Sequence, residues 1–157
     1  MSLADEVVGA LRRAGATVAT AESLTGGQAC ATLISVAGAS DVVLGGIVAY
    51  APEAKIELLH VDADLIDEQG TVHADVAAQM AFGAQERFGS TYGISTTGVA
   101  GPGESEGKPQ GTVHIAIAGP DGVRTTALQL DGDRHAVREQ TVDALLSQLV
   151  ARLREET

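Results

Sequence analysis

Three strand-like stretches of this sequence are each followed by a turn that contains glycine, and this pattern constrains the fold more than any other feature. The turns lie at residues 23–27, 98–111 and 131–134. In open α/β sheets, turns at the carboxyl ends of strands direct backbone N–H groups and helix N-termini into one crevice, where ligands bind. We therefore expect the three turns to converge on a single site.

Hydrophobic periodicity assigns the rest of the chain to helices and strands. Helical spacing predicts helices at 4–14, 28–36, 52–59, 73–88 and 134–154. Strand-like runs occur at 17–21, 42–50, 91–97, 112–118 and 123–130. The run at 42–50 is almost continuously apolar, which suits a strand covered on both faces. The tight-turn sequence Pro120-Asp121-Gly122 predicts that the last two strands pair antiparallel.

The order of these elements predicts the fold class. Strands separated by helices, followed by a hairpin and a closing helix, indicate an α/β protein. We expect a three-layer α/β/α sandwich with a mixed, mostly parallel sheet that forms a single domain over residues 1–157. A chain of this length buries about 70% of its extended surface on folding, which is enough for one core.

The net charge and the lengths of the apolar runs each disfavour one class of partner. Ten Lys and Arg residues stand against 21 Asp and Glu, which gives a net charge of −11. Nucleic acid is not expected as a partner, because its binding draws affinity from basic residues that neutralise phosphates. No apolar run approaches the ~20 residues of a membrane-spanning helix, and the N-terminus lacks a signal-peptide pattern. We therefore expect a cytoplasmic protein with no membrane partner.

Metal and cofactor chemistry find no support in the sequence. The single cysteine, Cys30, cannot form an intrachain disulfide, and the four histidines lack the spacing of metal ligands. Neither the phosphate-loop pattern nor the dinucleotide-binding glycine pattern occurs. We expect no metal and no other cofactor.

The first glycine-bearing turn has the order strand, serine, helix that an activated serine nucleophile requires. In that arrangement Ser23 lies at the strand end, and N–H groups at the start of the next helix stabilise a developing oxyanion. Gly26 and Gly27 permit close approach of a substrate. The same residues also suit a simple helix start, in which the hydroxyl of Ser23 or Thr25 caps the helix.

A serine nucleophile needs a base, and Lys55 is the alternative to a histidine. No histidine has a spacing that marks it as a partner of the serine. A lysine acts as a base only when desolvation or nearby positive charge lowers its pKa by roughly three units. Lys55 follows the apolar run that ends at Tyr50, but between Glu53 and Glu57 it also suits a solvated helix position. Tyr50 suits either packing at the strand end or a catalytic hydroxyl.

The loop at 98–111 and the turn after it offer groups for binding. A structureless loop of this length is uncommon as a pure connection, so a contact with a ligand is one interpretation and a mobile surface hairpin is the other. Thr97 offers a hydroxyl, and Lys108 is able to meet an anion. Arg134, at the start of the last helix, suits a phosphate clamp, or an ion pair with the aspartates that flank Gly132.

Five ordered blocks of the sequence together resemble one known family. They are Thr20-Ala21-Glu22-Ser23-Leu24-Thr25-Gly26-Gly27, Gly46-Ile47-Val48-Ala49-Tyr50 with Glu53-Ala54-Lys55, Thr97-Gly98-Val99-Ala100-Gly101-Pro102, Lys108-Pro109-Gln110-Gly111-Thr112-Val113 and Gly132-Asp133-Arg134. Over nearly its whole length the chain resembles the C-terminal domain of the competence/damage-inducible protein CinA. The stand-alone form of that domain is nicotinamide-nucleotide amidohydrolase.

This resemblance implies an activity and a set of site residues. The activity is hydrolysis of nicotinamide mononucleotide (NMN) to nicotinate mononucleotide and ammonia, which recycles a pyridine nucleotide. The resemblance implies that Ser23 is the nucleophile, that Lys55 is the general base and that the Tyr50 hydroxyl assists the proton relay. The residues expected to bind the substrate are Thr25, Gly26, Gly27, Thr97, Gly98, Gly101 and Arg134.

Two further expectations accompany the resemblance. Many relatives carry Ser-Asn before Glu-Ala-Lys, whereas this chain has Ala51-Pro52, so two polar groups close to Lys55 are missing. This departure bears on the rate or the substrate preference and not on the fold. The alternative function is a catalytically weak nucleotide-binding or competence-associated regulatory module that keeps the pocket but lacks a competent base. The resemblance and the many small residues also lead us to expect a homo-oligomer.

Overall fold

The computed structural model describes residues 1–156. The helices are α1 (Leu3–Ala14), α2 (Gln28–Ile34), α3 (Pro52–Leu59), α4 (Ala63–Gln69), α5 (Ala74–Phe88) and α6 (Arg134–Glu155), with a short 3-10 helix at Ala39–Asp41. The strands are β1 (Val18–Glu22), β2 (Val43–Val48), β3 (Tyr92–Gly98), β4 (Thr112–Gly119) and β5 (Gly122–Gln129). None of the helices in this described part combines the length and the apolar character that crossing a bilayer requires.

Local sequence explains where the long helices begin and end. The side chains of Ser2 and Asp5 cap each other's backbone N–H groups at the start of α1, and Gly15 ends α1 in the left-handed conformation. The side chain of Asp133 accepts a hydrogen bond from the Ala136 N–H at 2.9 Å at the start of α6. Pro52 occupies the first turn of α3, as its fixed φ favours.

The five strands form one mixed sheet in the order β2-β1-β3-β4-β5. β1 pairs parallel with both β2 and β3, whereas β4 pairs antiparallel with β3 and with β5. Four strands therefore run in one direction and β4 opposes them, which confirms the prediction of a mixed, mostly parallel sheet. The predicted β4–β5 hairpin is also confirmed.

Helices cover both faces of the sheet and form two different cores. On one face, α1, α2 and α6 pack branched and leucine side chains against β1, β3 and β4. On the other face α5 lies on the sheet through alanines and glycines, and α3 packs against α5. A Cβ on Gly93 would lie 2.0 Å from the Ala81 carbonyl oxygen. Because no side chain fits at position 93, α5 can approach β3 closely there. The predicted three-layer α/β/α sandwich is confirmed.

One expectation about an individual element was wrong, and one helix was not predicted. The apolar run at 42–50 is not covered on both faces: within the described residues β2 is an edge strand, with Leu44 and Val48 about half exposed. Both α2 and α5 contact β2, but they leave these two side chains partly uncovered at the edge of the sheet. α4 was not predicted, because this seven-residue helix buries no side chain completely and so carries little apolar periodicity.

Candidate active site

The side chains of Ser23 and Lys55 meet at the carboxyl end of the parallel strands. Ser23 follows β1 directly, and Lys55 lies one turn inside α3, which begins just after β2. The Ala49 N–H donates to the Glu22 carbonyl at 2.9 Å, which keeps the chain after β2 beside the end of β1. As a result, the Lys55 Nζ lies 2.8 Å from the Ser23 Oγ.

Lys55 is buried, which excludes the solvated helix position. Its side chain is among the largest fully buried side chains of the protein, at 1% exposure. This burial lowers the pKa of Lys55 from 10.5 to about 8, while the negative charge of Glu106 opposes the change. A substantial fraction of the amine is therefore neutral near physiological pH, as a general base requires.

Three acceptors surround the Lys55 amine and define its directions. Besides Ser23, the amine contacts the Ala49 carbonyl oxygen at 2.9 Å and the Tyr50 carbonyl oxygen at 3.0 Å. A protonated lysine donates one hydrogen to each of the three acceptors. When the amine is neutral, its two hydrogens can remain on the carbonyls, and its lone pair then faces the Ser23 hydroxyl.

The turn at 23–27 carries both used and unused backbone donors. The Ser23 N–H donates to the Thr96 carbonyl at 3.0 Å, and the Gly26 N–H donates to the Ser23 carbonyl at 3.1 Å. The N–H groups of Leu24, Thr25 and Gly27 have no hydrogen-bond partner within residues 1–156. Gly27 is the N-cap of α2 with φ of 98° and makes no side-chain cap, so neither Ser23 nor Thr25 caps this helix.

Sequence reasoning missed Glu22 and Arg138, which hold this turn. The Glu22 carboxylate is 1% exposed and accepts hydrogen bonds from the Ala29 and Cys30 N–H groups at the start of α2. From α6, the Arg138 Nε donates to the Leu24 carbonyl at 2.8 Å. Glu22 stands in the motif Thr-Ala-Glu-Ser, where a carboxyl between a buried strand and a small-residue turn was the only available signal.

Arg134 and Tyr50 form one wall of a cleft beside the Ser23 turn. The guanidinium of Arg134 donates to the Gly101 carbonyl oxygen and lies 3.3 Å from the Tyr50 hydroxyl. Leu24 and the loop from Gly98 to Ser105 complete the lining. Arg134 makes no ion pair with either neighbouring aspartate in the described residues, and its charge is directed at the cleft.

The loop at 98–111 is anchored on the turn between α4 and α5. The Glu106 carboxylate accepts hydrogen bonds from the Thr71 N–H and hydroxyl and from the Val72 N–H. The Lys108 Nζ donates to the carbonyl oxygens of Gln69 and Val72. The positive charge that the sequence suggested for an anion is therefore used to hold the loop.

The structure brings together most, but not all, of the predicted site residues. Ser23 contacts Lys55, and Thr25, Gly26 and Gly27 follow Ser23 in the same turn. Gly98, Gly101 and Arg134 line the adjacent cleft. Thr97 is buried, and its hydroxyl donates to the Thr71 carbonyl at 2.8 Å, on the face of the sheet that α5 covers. Tyr50 contacts Lys55 through its carbonyl oxygen and not through its hydroxyl.

Histidines and metal ligands do not contribute to this site. None of the four histidines is hydrogen-bonded to Ser23, and no group of three or more candidate metal ligands occurs in residues 1–156. The arrangement instead places a buried primary amine on a serine hydroxyl, beside unpaired backbone N–H groups and an open cleft. These are the parts that acyl transfer through a serine nucleophile requires.

Comparisons with known proteins agree with this architecture. A family model described as the CinA C-terminal domain matches residues 1–153. A CinA-like protein of Frankia casuarinae is 48% identical over 152 residues, which cover 97% of this chain and 35% of that protein. The chain thus spans about a third of the length of such curated relatives.

Solved structures show the same fold. A competence/damage inducible protein from Agrobacterium tumefaciens superposes with a TM-score of 0.91 at 37% identity, covering 95% of this chain and 92% of that one. A CinA superfamily protein from Klebsiella pneumoniae superposes with a TM-score of 0.95 at 31% identity, covering 98% and 96%. The chain belongs to the CinA C-terminal domain family.

Proposed function

We propose that this protein is a nicotinamide-nucleotide amidohydrolase that converts NMN and water into nicotinate mononucleotide and ammonia by a Ser-Lys mechanism. The observation that carries the proposal is the 2.8 Å hydrogen bond between the Lys55 amine and the Ser23 hydroxyl in a buried site. A buried lysine without a carboxylate partner costs folding free energy. The role of Lys55 as the base for Ser23 explains why the protein buries this amine despite the cost.

In the first step Lys55 activates the nucleophile. The neutral amine takes the proton of the Ser23 hydroxyl along the 2.8 Å line that joins the two atoms, and the serine oxygen attacks the carboxamide carbon. The carbonyls of Ala49 and Tyr50 hold the lysine throughout, so the proton moves without rotation of the side chain. The resulting ammonium is stabilised by the same two carbonyls.

Backbone N–H groups of the turn stabilise the tetrahedral intermediate. The N–H groups of Thr25 and Gly27 have no partner within the described residues, so they are free to bind the developing oxyanion. Gly26 fits this role less well than the sequence suggested, because its N–H already donates to the Ser23 carbonyl. Gly26 remains important for its left-handed φ of 59°, which shapes the turn.

Collapse of the intermediate releases ammonia. Protonated Lys55 returns its proton to the departing amide nitrogen, and the nicotinoyl group stays on the Ser23 oxygen as an ester. A water molecule then attacks this ester with Lys55 again as the base. The products are the free carboxylate and the regenerated serine, so atoms and protons balance without any further reagent.

The cleft beside the Ser23 turn accommodates the rest of the nucleotide. We place the pyridinium and ribose along residues 98–103, and the phosphate on Arg134, whose guanidinium already faces this cleft. Backbone carbonyls and the Tyr50 ring offer a favourable surface to a cationic ring. Thr97 is assigned a supporting role, because its hydroxyl is bound to the Thr71 carbonyl.

The decisive experiment measures ammonia release from NMN. Purified protein is compared with Ser23→Ala, Lys55→Met and the control Ser35→Ala, after circular dichroism has shown that each variant is folded. Ser35 is exposed and its hydroxyl bonds only within its own turn. We expect release by the parent protein and by Ser35→Ala, and at least a 1,000-fold loss in the other two, as is typical when a nucleophile or its base is removed.

The outcome also separates this proposal from its alternative. If NMN binds, as measured by calorimetry, but no ammonia is released, the protein is a nucleotide-binding module and not an amidohydrolase. If NMN neither binds nor reacts, the substrate assignment is wrong. If Lys55→Met retains activity while Ser23→Ala loses it, the serine remains the nucleophile and the lysine is not its base.

A further inference from the structure

Glu22 is a buried carboxyl group that the proposed mechanism does not use. It is the last residue of β1, it precedes Ser23, and it is 1% exposed. Four donors surround it: the Thr25 hydroxyl at 2.7 Å, the Thr20 hydroxyl at 3.3 Å, and the N–H groups of Ala29 at 2.8 Å and Cys30 at 3.0 Å. No lysine or arginine is paired with it in the described residues.

The carboxylate fixes the direction of a chain of hydroxyl groups. Because a carboxylate only accepts, the Thr25 hydroxyl must donate to the Glu22 Oε1. The Thr25 oxygen is then free to accept from the Thr96 hydroxyl, which lies 2.8 Å away. The Thr96 oxygen in turn accepts a hydrogen bond from the Ser23 N–H at 3.3 Å.

We propose that Glu22 is a positioning residue for the nucleophile, holding the Ser23 backbone through Thr25 and Thr96 so that the Ser23 Oγ stays aligned with the Lys55 amine. The same chain also holds Thr25, whose N–H is one of the two assigned to the oxyanion under the proposed function. The Glu22 Oε2 accepts a hydrogen bond from the Cys30 N–H at the start of α2, so the Glu22 carboxylate joins the turn to the helix that follows it. This inference rests on the proposed function for the role of Ser23.

A positioning role differs measurably from a role in the base. The Lys55 amine is held by Ala49 and Tyr50, neither of which contacts the Glu22 side chain. Disturbing the chain should therefore lower the rate at which Ser23 reacts and leave the pH midpoint of that reaction unchanged. A residue that tuned Lys55 would move the midpoint instead.

Two variants break the chain at different points, and one control matches their structural cost. Thr96→Val removes the hydroxyl link between Ser23 and Thr25 and keeps both the β-branched shape and the 3.0 Å bond from the Ser23 N–H to the Thr96 carbonyl. Glu22→Gln replaces an acceptor-only group with one that presents an NH₂ group to an N–H or a hydroxyl. Ser95→Ala is the control, because Ser95 is also fully buried in β3 but its hydroxyl bonds to the Ala77 carbonyl on the other face of the sheet.

Each variant is tested by two readouts. The first is kcat and KM for ammonia release from NMN. The second is the rate at which diisopropyl fluorophosphate phosphorylates Ser23, followed by intact mass between pH 6.5 and 9.5. In this labelling the serine oxygen bonds to phosphorus, fluoride leaves, and Lys55 takes the proton, so it reports on Ser23 without an amide substrate.

We expect Thr96→Val and Glu22→Gln to lose at least tenfold in labelling rate and in kcat, with KM and the pH midpoint unchanged. We expect Ser95→Ala to stay within threefold of the parent protein. Equal losses in all three variants, or a shifted midpoint, would overturn the inference. If Glu22→Gln does not fold, Thr96→Val alone decides the question.

The two readouts distinguish failure of this inference from failure of the proposed function. Labelling that follows the expected order without any ammonia release would retain the positioning role and reject the substrate. Ammonia release that is insensitive to both variants would retain the amidohydrolase and reject the positioning role. A parent protein that neither becomes labelled nor releases ammonia would reject both.

Discussion

The Lys55 amine donates a hydrogen bond to the carbonyl oxygen of Tyr50 at 3.0 Å, while the side chain of Tyr50 extends into the neighbouring cleft. One residue therefore contacts the proposed base through its backbone and lines the proposed substrate cleft through its ring. Its hydroxyl lies 3.3 Å from the Arg134 guanidinium. The Tyr50 backbone therefore positions the Lys55 amine, whereas the phenol is available to contact a substrate in the cleft.

The variant Tyr50→Phe tests this separation. It keeps the carbonyl on Lys55 and removes only the hydroxyl on Arg134, so we expect KM for NMN to rise three- to tenfold with kcat within threefold of the parent protein. Steady-state kinetics of ammonia release provide the measurement, with Arg134→Gln expected to raise KM further. A 100-fold loss of kcat in Tyr50→Phe would instead support a proton relay through the hydroxyl.

The pH dependence of the reaction should follow Lys55. Its pKa is lowered by burial to about 8, and the base must be neutral to accept the Ser23 proton. We therefore expect kcat/KM to rise with pH through a midpoint near 8 and to reach a plateau above it. The substrate phosphate titrates near pH 6, about two units lower, so the two transitions are separable. A profile that is flat between pH 7 and 9 would exclude Lys55 as the base.

The same pKa change predicts a pH-dependent contribution to stability. Between about 8 and 10.5 the unfolded chain retains a proton on Lys55 that the folded chain has released, so the free energy of unfolding rises with pH in this window. Relative to Lys55→Met, the parent protein should gain about 2 kcal/mol between pH 7.5 and 10. Urea unfolding of both proteins at the two pH values measures this difference. A difference that does not change with pH would show that the folded protein does not lower the pKa of Lys55.

Much of this site was predictable from the sequence, but its pairing was not. The order strand, serine, helix indicated Ser23, and the resemblance to a known family indicated Lys55. The two residues are 32 positions apart, and nothing in the spacing alone brings them together. Their contact depends on the turn after β2, where the Ala49 N–H bonds to the Glu22 carbonyl.

Glu22 and the loop anchors show why the remaining contacts escaped prediction. The strand predicted at 17–21 ended one residue before Glu22. Hydrophobic periodicity does not predict a buried carboxyl group, although every residue of β1, including Glu22, is buried. Lys108 was expected to meet an anion, yet it binds carbonyl oxygens of the turn before α5. That turn follows α4, whose exposed surface left no periodic signal. Contacts between two irregular segments are therefore the part that sequence patterns describe least.

Glu106 links the loop anchor to the base, and Glu106→Gln should shift the pH profile. The Glu106 charge raises the pKa of Lys55, so its removal should move the kcat/KM midpoint to lower pH. Glu57→Gln is the matched control, because it makes the same charge change on an exposed position of α3. The two pH profiles, measured in the same buffers, provide the comparison. A midpoint that moves equally in both variants would mean that net charge, and not Glu106, sets the change.

Substitution of glycine by alanine should have opposite effects on stability at Gly93, where α5 contacts β3, and at Gly9 in α1. A Cβ on Gly93 would lie 2.0 Å from the Ala81 carbonyl oxygen and 2.8 Å from the Gln85 nitrogen, both backbone atoms of α5. Gly93→Ala must push the helix from the sheet, at a cost of about 3 kcal/mol. Gly9 lies inside α1, where a Cβ would meet only the mobile end of Arg13, so Gly9→Ala should stabilise by roughly 0.5–1 kcal/mol.

Urea unfolding at pH 7.5 measures both changes on the same scale. Because Gly93 shares β3 with Ser95 and Thr96, separation of α5 from this strand should also reduce ammonia release in Gly93→Ala, whereas Gly9→Ala should retain it. If Gly93→Ala unfolds at the same urea concentration as the parent protein, α5 does not rest on the sheet as closely as these distances require. The small residues of this face would then have no packing role, and the position of the turn before α5, which anchors the loop over the cleft, would need another cause.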